Sequence, residues 1–78
     1  MREPAPRQLD VLRFIADHLD REGFPPSLRE ITDHLGAKST MTATTHVEAL
    51  IRKGLLEQRA TRARALRITP LGAAALAR

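Results

Sequence analysis

Residues 27–54 of this 78-residue chain read Ser-Leu-Arg-Glu-Ile-Thr-Asp-His-Leu-Gly-Ala-Lys-Ser-Thr-Met-Thr-Ala-Thr-Thr-His-Val-Glu-Ala-Leu-Ile-Arg-Lys-Gly, and their punctuation decides the fold. Ser27-Leu28-Arg29-Glu30 matches a capping box, in which the serine hydroxyl and the glutamate carboxylate satisfy orphan N–H groups of a first helical turn. Leu28, Ile31 and Leu35 fall three or four apart, a narrow apolar stripe over two turns. Gly36 ends that helix. After Ala37-Lys38, either Ser39 or Thr40 can cap a further helix running to Lys53, with Gly54 as its stop. Two short helices joined by a tight turn are therefore expected.

Upstream, residues 1–6 hold two prolines and no periodicity and read as a flexible tail. A helix is expected from Arg7 to about Glu22, with Leu9, Leu12, Ile15, Ala16 and Leu19 on one face and Val11 and Phe14 flanking it. Asp10, Arg13, Asp17, Asp20 and Arg21 take its wet side. Gly23 follows where a left-handed C-cap is wanted. Phe24-Pro25-Pro26 cannot continue a helix, and Phe24 reads as a plug packing this linker onto the core.

Downstream of Gly54 the pattern changes to strands. Leu55–Arg59 and Ala65–Thr69 can pair across residues 60–64, with Leu66 and Ile68 two apart on an inward face. The link is a basic loop, a wing. Thr69-Pro70 resembles an N-cap with proline at the first helical position. Leu71 to Ala77 then reads as a short Ala-rich helix, marginal unless it packs on something.

At about 100° per residue, Ala43, Val47 and Leu50 cluster on the inner face of the third helix, with Ile51 at its border. Met41, Thr45 and Glu48 point the other way, flanked by Thr42 and Ala49, while Thr44 lies to one side. Four threonines within six positions (Thr40, Thr42, Thr44, Thr45) are a poor choice for a merely solvated helix face, because β-branched side chains lower helix propensity. This is the layout of a helix-turn-helix whose second helix enters the DNA major groove.

Charge supports that reading. The net charge is +4, yet residues 1–37 sum to −2 and residues 38–78 to +6. Six cations (Arg52, Lys53, Arg59, Arg62, Arg64, Arg67) fall within sixteen positions, a block able to neutralise phosphates and release counterions. Without cysteine, no disulfide or thiolate metal site can form. His18, His34 and His46 sit on three different helices with no metal-ligand spacing, so each reads as a core-edge or surface residue. No nucleophile–base motif or Gly-rich phosphate loop occurs, and neither an enzyme nor a cofactor is expected. No apolar run approaches the roughly 18 residues of a membrane span, and no signal peptide follows Met1. A soluble, intracellular protein is expected.

Arg7-Gln8, Asp17-His18, Gly23 with Pro25-Pro26, Glu30-Ile31, Leu35-Gly36, Ser39, His46, Ala49-Leu50 and Arg52-Lys53-Gly54 followed by Glu57 together resemble the N-terminal DNA-binding domain of LexA repressors. The resemblance runs from Arg7 to about Ile68 without a gap. It implies a mainly α fold with a small β-wing: a winged helix-turn-helix over residues 7–69, with a three-helix core and a two-stranded antiparallel hairpin. Residues 70–78 follow as a short C-terminal helix.

Carried over residue by residue, Ser39 is implied as a base or phosphate contact at the helix start. Met41, Thr42, Thr44 and Thr45 are implied as base readers. Arg52, Lys53 and Arg64 are implied as backbone contacts, and Lys38, Thr40, Arg59 and Arg62 join them from charge and position.

Two departures stand out. LexA repressors commonly carry Asn and acidic residues among the base readers, whereas this chain has one Met and three Thr. They also carry a C-terminal serine–lysine self-cleaving domain that dimerises the protein, of which these residues hold nothing. The chain is then either a stand-alone relative that dimerises otherwise, with Leu71 and Leu76 as candidate contacts, or a fragment of a longer protein.

The expected function is sequence-specific binding of double-stranded DNA by a LexA-like repressor, as a homodimer on an inverted repeat. Two alternatives remain open from the residues. One is a winged-helix module docking on another regulator or a polymerase. The other is a non-specific nucleoid-type binder using the basic wing alone.

Overall fold

A computed structural model describes residues 5–58 and 66–77. In chain order they form α1 (Pro6–Glu22), α2 (Leu28–Leu35), α3 (Thr40–Arg52), β1 (Leu56–Gln58), β2 (Leu66–Ile68) and α4 (Pro70–Leu76). Three helices pack into a core, a two-stranded antiparallel hairpin follows, and a short helix closes the chain: the expected winged helix-turn-helix. The middle of the wing, with Arg59, Arg62 and Arg64, lies outside the described residues, as do residues 1–4 and Arg78.

Local chemistry sets the helix limits. Ser27 Oγ accepts from the Glu30 N–H at 3.1 Å and the Glu30 carboxylate accepts from the Ser27 N–H at 2.8 Å, closing both halves of the capping box. Of the two candidate caps of α3 it is Ser39 that acts, its Oγ accepting from the Met41 N–H at 3.1 Å. Between these helices Gly36 takes φ 70°, a left-handed conformation that glycine adopts without a Cβ clash. The turn is closed by the Gly36 N–H on the Asp33 carbonyl (3.1 Å) and the Ala37 N–H on the Thr32 carbonyl (3.2 Å). At the other end α1 begins at Pro6, one residue earlier than expected, with the Ala5 N–H donating to Gln8 Oε1 at 3.3 Å.

The core joins Val11, Leu12 and Ile15 of α1, Ile31 and Leu35 of α2, and Ala43, Val47 and Leu50 of α3 with Leu55, Leu56 and Leu66 at the hairpin base. Four expectations about burial need correcting. On α1 the fully buried line is Val11, Leu12, Ile15 and His18, while Leu9 and Leu19 are half-buried against the core and Ala16 is half-buried.

His18 is a buried residue rather than one at the core edge. Its Nδ1 donates to the Phe24 carbonyl at 2.8 Å and its Nε2 stands 3.5 Å from the Glu30 carboxylate, so both polar atoms have partners that only the tertiary fold supplies. Phe24 is not the linker's plug. It is 44% exposed, its ring edge-on to His18, while Pro25 and Pro26 are the buried residues. Ala49, expected beside the outward face of α3, is buried instead. One turn further on, Lys53 reaches Gln8 of α1, so that flank of α3 faces α1.

Among the described residues the strands are Leu56–Gln58 and Leu66–Ile68, in the register Leu56↔Ile68, Glu57↔Arg67 and Gln58↔Leu66; Leu55 and Thr69, expected inside them, lie outside, and Arg59 and Ala65 fall outside the described residues. Arg67 meets Glu57 across the hairpin at 3.7 Å. Thr69 then ties three pieces together. Its N–H donates to the Leu55 carbonyl at 3.2 Å, its hydroxyl to the Gly54 carbonyl at 2.6 Å, and its Oγ1 accepts from the Gly72 N–H at 3.0 Å as the cap of α4. Leu76, one of the two candidate dimer contacts, is packed partly against the intramolecular core, whereas Leu71 stays exposed.

Candidate nucleic-acid interface

Burial of Ala43, Val47 and Leu50 leaves the opposite side of α3 unpacked. Met41, Thr45, Glu48 and Arg52 are all exposed there, in steps of four, three and four residues that run straight along the helix. Met41 is 74% exposed, more than either of the other exposed large apolar side chains among the described residues, Phe24 and Leu71. Lys38, Ser39 and Thr40 are exposed at the start of the helix, so cations stand at both ends of an otherwise mostly uncharged row.

Thr42 and Thr44 are half-buried and flank the row. Thr44 faces the hairpin, where it shares a shallow groove of about 150 Å³ with Glu48, Gln58 and Leu66.

Hydrogen bonds decide what each side chain has left to offer. The Ser39 hydroxyl accepts from the Met41 N–H but keeps its own O–H to donate. The Thr45 hydroxyl donates to the Met41 carbonyl at 2.9 Å, so its single hydrogen is engaged and it offers lone pairs and a methyl group. Lys53, expected at the DNA backbone, is half-buried and donates from Nζ to Gln8 Oε1 at 2.6 Å. One of its three N–H donors is thus turned toward α1, while Arg52 is exposed.

One residue, Gln8, joins the site unexpectedly, and Glu48, expected on the outward face, takes a place among the candidate reading residues. Gln8 holds both the Ala5 N–H and the Lys53 ammonium; its place three residues after the N-cap position is the sequence signal. Glu48 stands on the outward row itself, readable from its seven-residue spacing after Met41. Neither of the other histidines points to a metal. His34 stacks on Phe14 at 4.2 Å between ring centres and meets Asp10 at 3.2 Å, and half-buried His46 has its Nδ1 enclosed by protein.

A three-helix core, a tight α2–α3 turn, a hairpin beside α3 and an exposed hydroxyl-rich start to that helix define a winged helix-turn-helix DNA-binding domain. The family described as "LexA DNA binding domain" matches residues 1–65. Among its relatives, LexA repressor 2 of Geobacter sulfurreducens is 44% identical over 63 residues, covering 81% of this chain and 31% of that protein. The LexA repressors of Lactobacillus acidophilus and Lactobacillus helveticus are 47% and 48% identical over 66 residues, in each case 85% of this chain and 32% of theirs. The chain belongs to the LexA DNA-binding domain family, and it spans about a third of the length of the curated relatives it matches.

Proposed function

We propose that the chain binds double-stranded DNA sequence-specifically and represses transcription by occluding a promoter. The start of α3 lies in the major groove, with Met41, Thr42, Thr44 and Thr45 at base edges and Ser39 at a base or phosphate. Lys38, Thr40, Arg52 and Lys53, with Arg59, Arg62 and Arg64 of the wing, meet the sugar–phosphate backbone. The observation that carries this is the exposed row on α3, an apolar Met41 and hydroxyl-bearing Thr45 bracketed by exposed cations, on a domain whose relatives are named LexA repressors.

A single module of this size buries roughly 600–1,000 Å² on DNA and binds weakly alone, so a homodimer on an inverted repeat is the working unit, and the protein acts in the cytoplasm on the nucleoid. Leu71 is the large apolar residue of α4 that stays exposed, and it is the candidate for the dimer contact.

Selection of bound duplexes from a random pool at near-physiological salt tests this. An inverted repeat is the expected product, its half-site spacing giving the dimer geometry. A lone half-site contradicts the homodimer, and no enrichment contradicts sequence-specific binding altogether. With the enriched site in hand, Thr45→Ala is expected to change base preference at one or two positions while the protein stays folded.

A further inference from the structure

We propose that Met41 and Thr45 are specificity-determining residues that read the central base pairs of the half-site through thymine methyl and exocyclic amino groups, not through the O6 and N7 acceptors of guanine. This rests on α3 being the reading helix.

Met41 is 74% exposed and has only a polarisable apolar side chain to offer. In the major groove the one apolar feature is the C5-methyl group of thymine. The partner that relieves the exposure of Met41 is therefore a T·A pair.

Thr45 lies one turn on, on the same line. With its hydroxyl hydrogen donated to the Met41 carbonyl at 2.9 Å, it faces outward as an acceptor and a methyl group. An acceptor matches the N4 amino group of cytosine or the N6 amino group of adenine and repels guanine O6 and N7. The methyl again matches thymine. Glu48, next along the row, is a carboxylate that can only accept, and its negative charge likewise disfavours guanine acceptors and phosphates.

From Met41 to Glu48 the chain holds no Arg, Lys, Asn or Gln, the side chains that make bidentate contacts to guanine or adenine. His46 bears a ring donor but lies half-buried, with its Nδ1 enclosed by protein. On the row itself donors are confined to its ends, at Lys38, Ser39 and Arg52, where they meet phosphates or the flanking pairs, while the hydroxyls of half-buried Thr42 and Thr44 stand to either side. The half-bound hydroxyl of Thr45 thus converts a side chain of mixed character into one of defined polarity.

The test uses the full chain and the duplexes it selects from a random pool. Each thymine of the half-site is replaced singly by deoxyuridine, which removes the C5-methyl and leaves every hydrogen-bonding group in place. At one or two central positions affinity is expected to fall about fourfold, the effect of losing one buried methyl. In Met41→Ala the loss at the position facing residue 41 disappears, while losses elsewhere persist. Placing 5-methylcytosine opposite guanine at that position restores part of the affinity that unmethylated cytosine loses.

Deoxyuridine without effect at every position overturns the proposal and leaves DNA reading by α3 intact. So does a loss of more than tenfold when a central guanine is replaced by 7-deazaguanine. If no duplex is enriched, both fail together.

Discussion

Gly72 occupies a place that no larger residue fits. A Cβ built there lies inside the van der Waals envelope of the Leu55 carbonyl oxygen and 3.1 Å from Ile68 Cγ2. The backbone oxygen cannot swing aside as a side chain could, because it accepts the Thr69 N–H. Gly72→Ala is expected to lower stability by about 1–3 kcal/mol or more, read as a fall in the urea midpoint at unchanged slope. An unchanged midpoint would mean that α4 is not docked against the hairpin base. At this scale the sequence was least legible. His18 is buried because the Phe24 carbonyl and Glu30 face it, partners that arrive from outside α1 and leave no trace in its periodicity. The same holds for Ala49, whose burial depends on the flank of α3 that α1 covers.

Elements were far more legible, because caps and stops are chemistry between residues three or four apart. The capping box at Ser27 and the left-handed Gly36 set the limits of α2 from a stretch that can be read locally. Ser27→Ala is expected to cost about 1 kcal/mol by chemical denaturation, with DNA preference unchanged in the folded protein. A change below roughly 0.3 kcal/mol would show that packing alone defines that end. Strand limits depend on pairing across some ten residues, and there Leu55 and Thr69, expected inside the strands, fall outside the ladder. Short α4 is held by the Thr69 cap and by contacts with the core that turn Leu76 inward, which pattern alone could not distinguish from an outward dimer face.

Across the whole molecule, the helix-turn-helix layout and the uneven charge were both readable, as was the outward row of α3, since helical angle follows from spacing. Which hydroxyl on that row still has its hydrogen was not, because Thr45 can rotate and only the fold records its bond to Met41. If about five phosphates are neutralised, log K should fall with log salt at a slope near −4.5. Arg52→Ala is expected to reduce the slope by about 0.9, and Lys53→Ala by less, because its ammonium is shared with Gln8. A slope of roughly −1 would contradict a phosphate-tracking interface.

Titration of the isotopically labelled protein with its selected duplex, followed by backbone amide shifts, tests most directly whether the start of α3 is the reading surface. The largest shifts are expected at residues 38–45 and at Arg52, with the exposed acidic side of α1 around Asp17 and Asp20 unmoved. Shifts centred on α1, with residues 38–45 unchanged, would contradict that assignment.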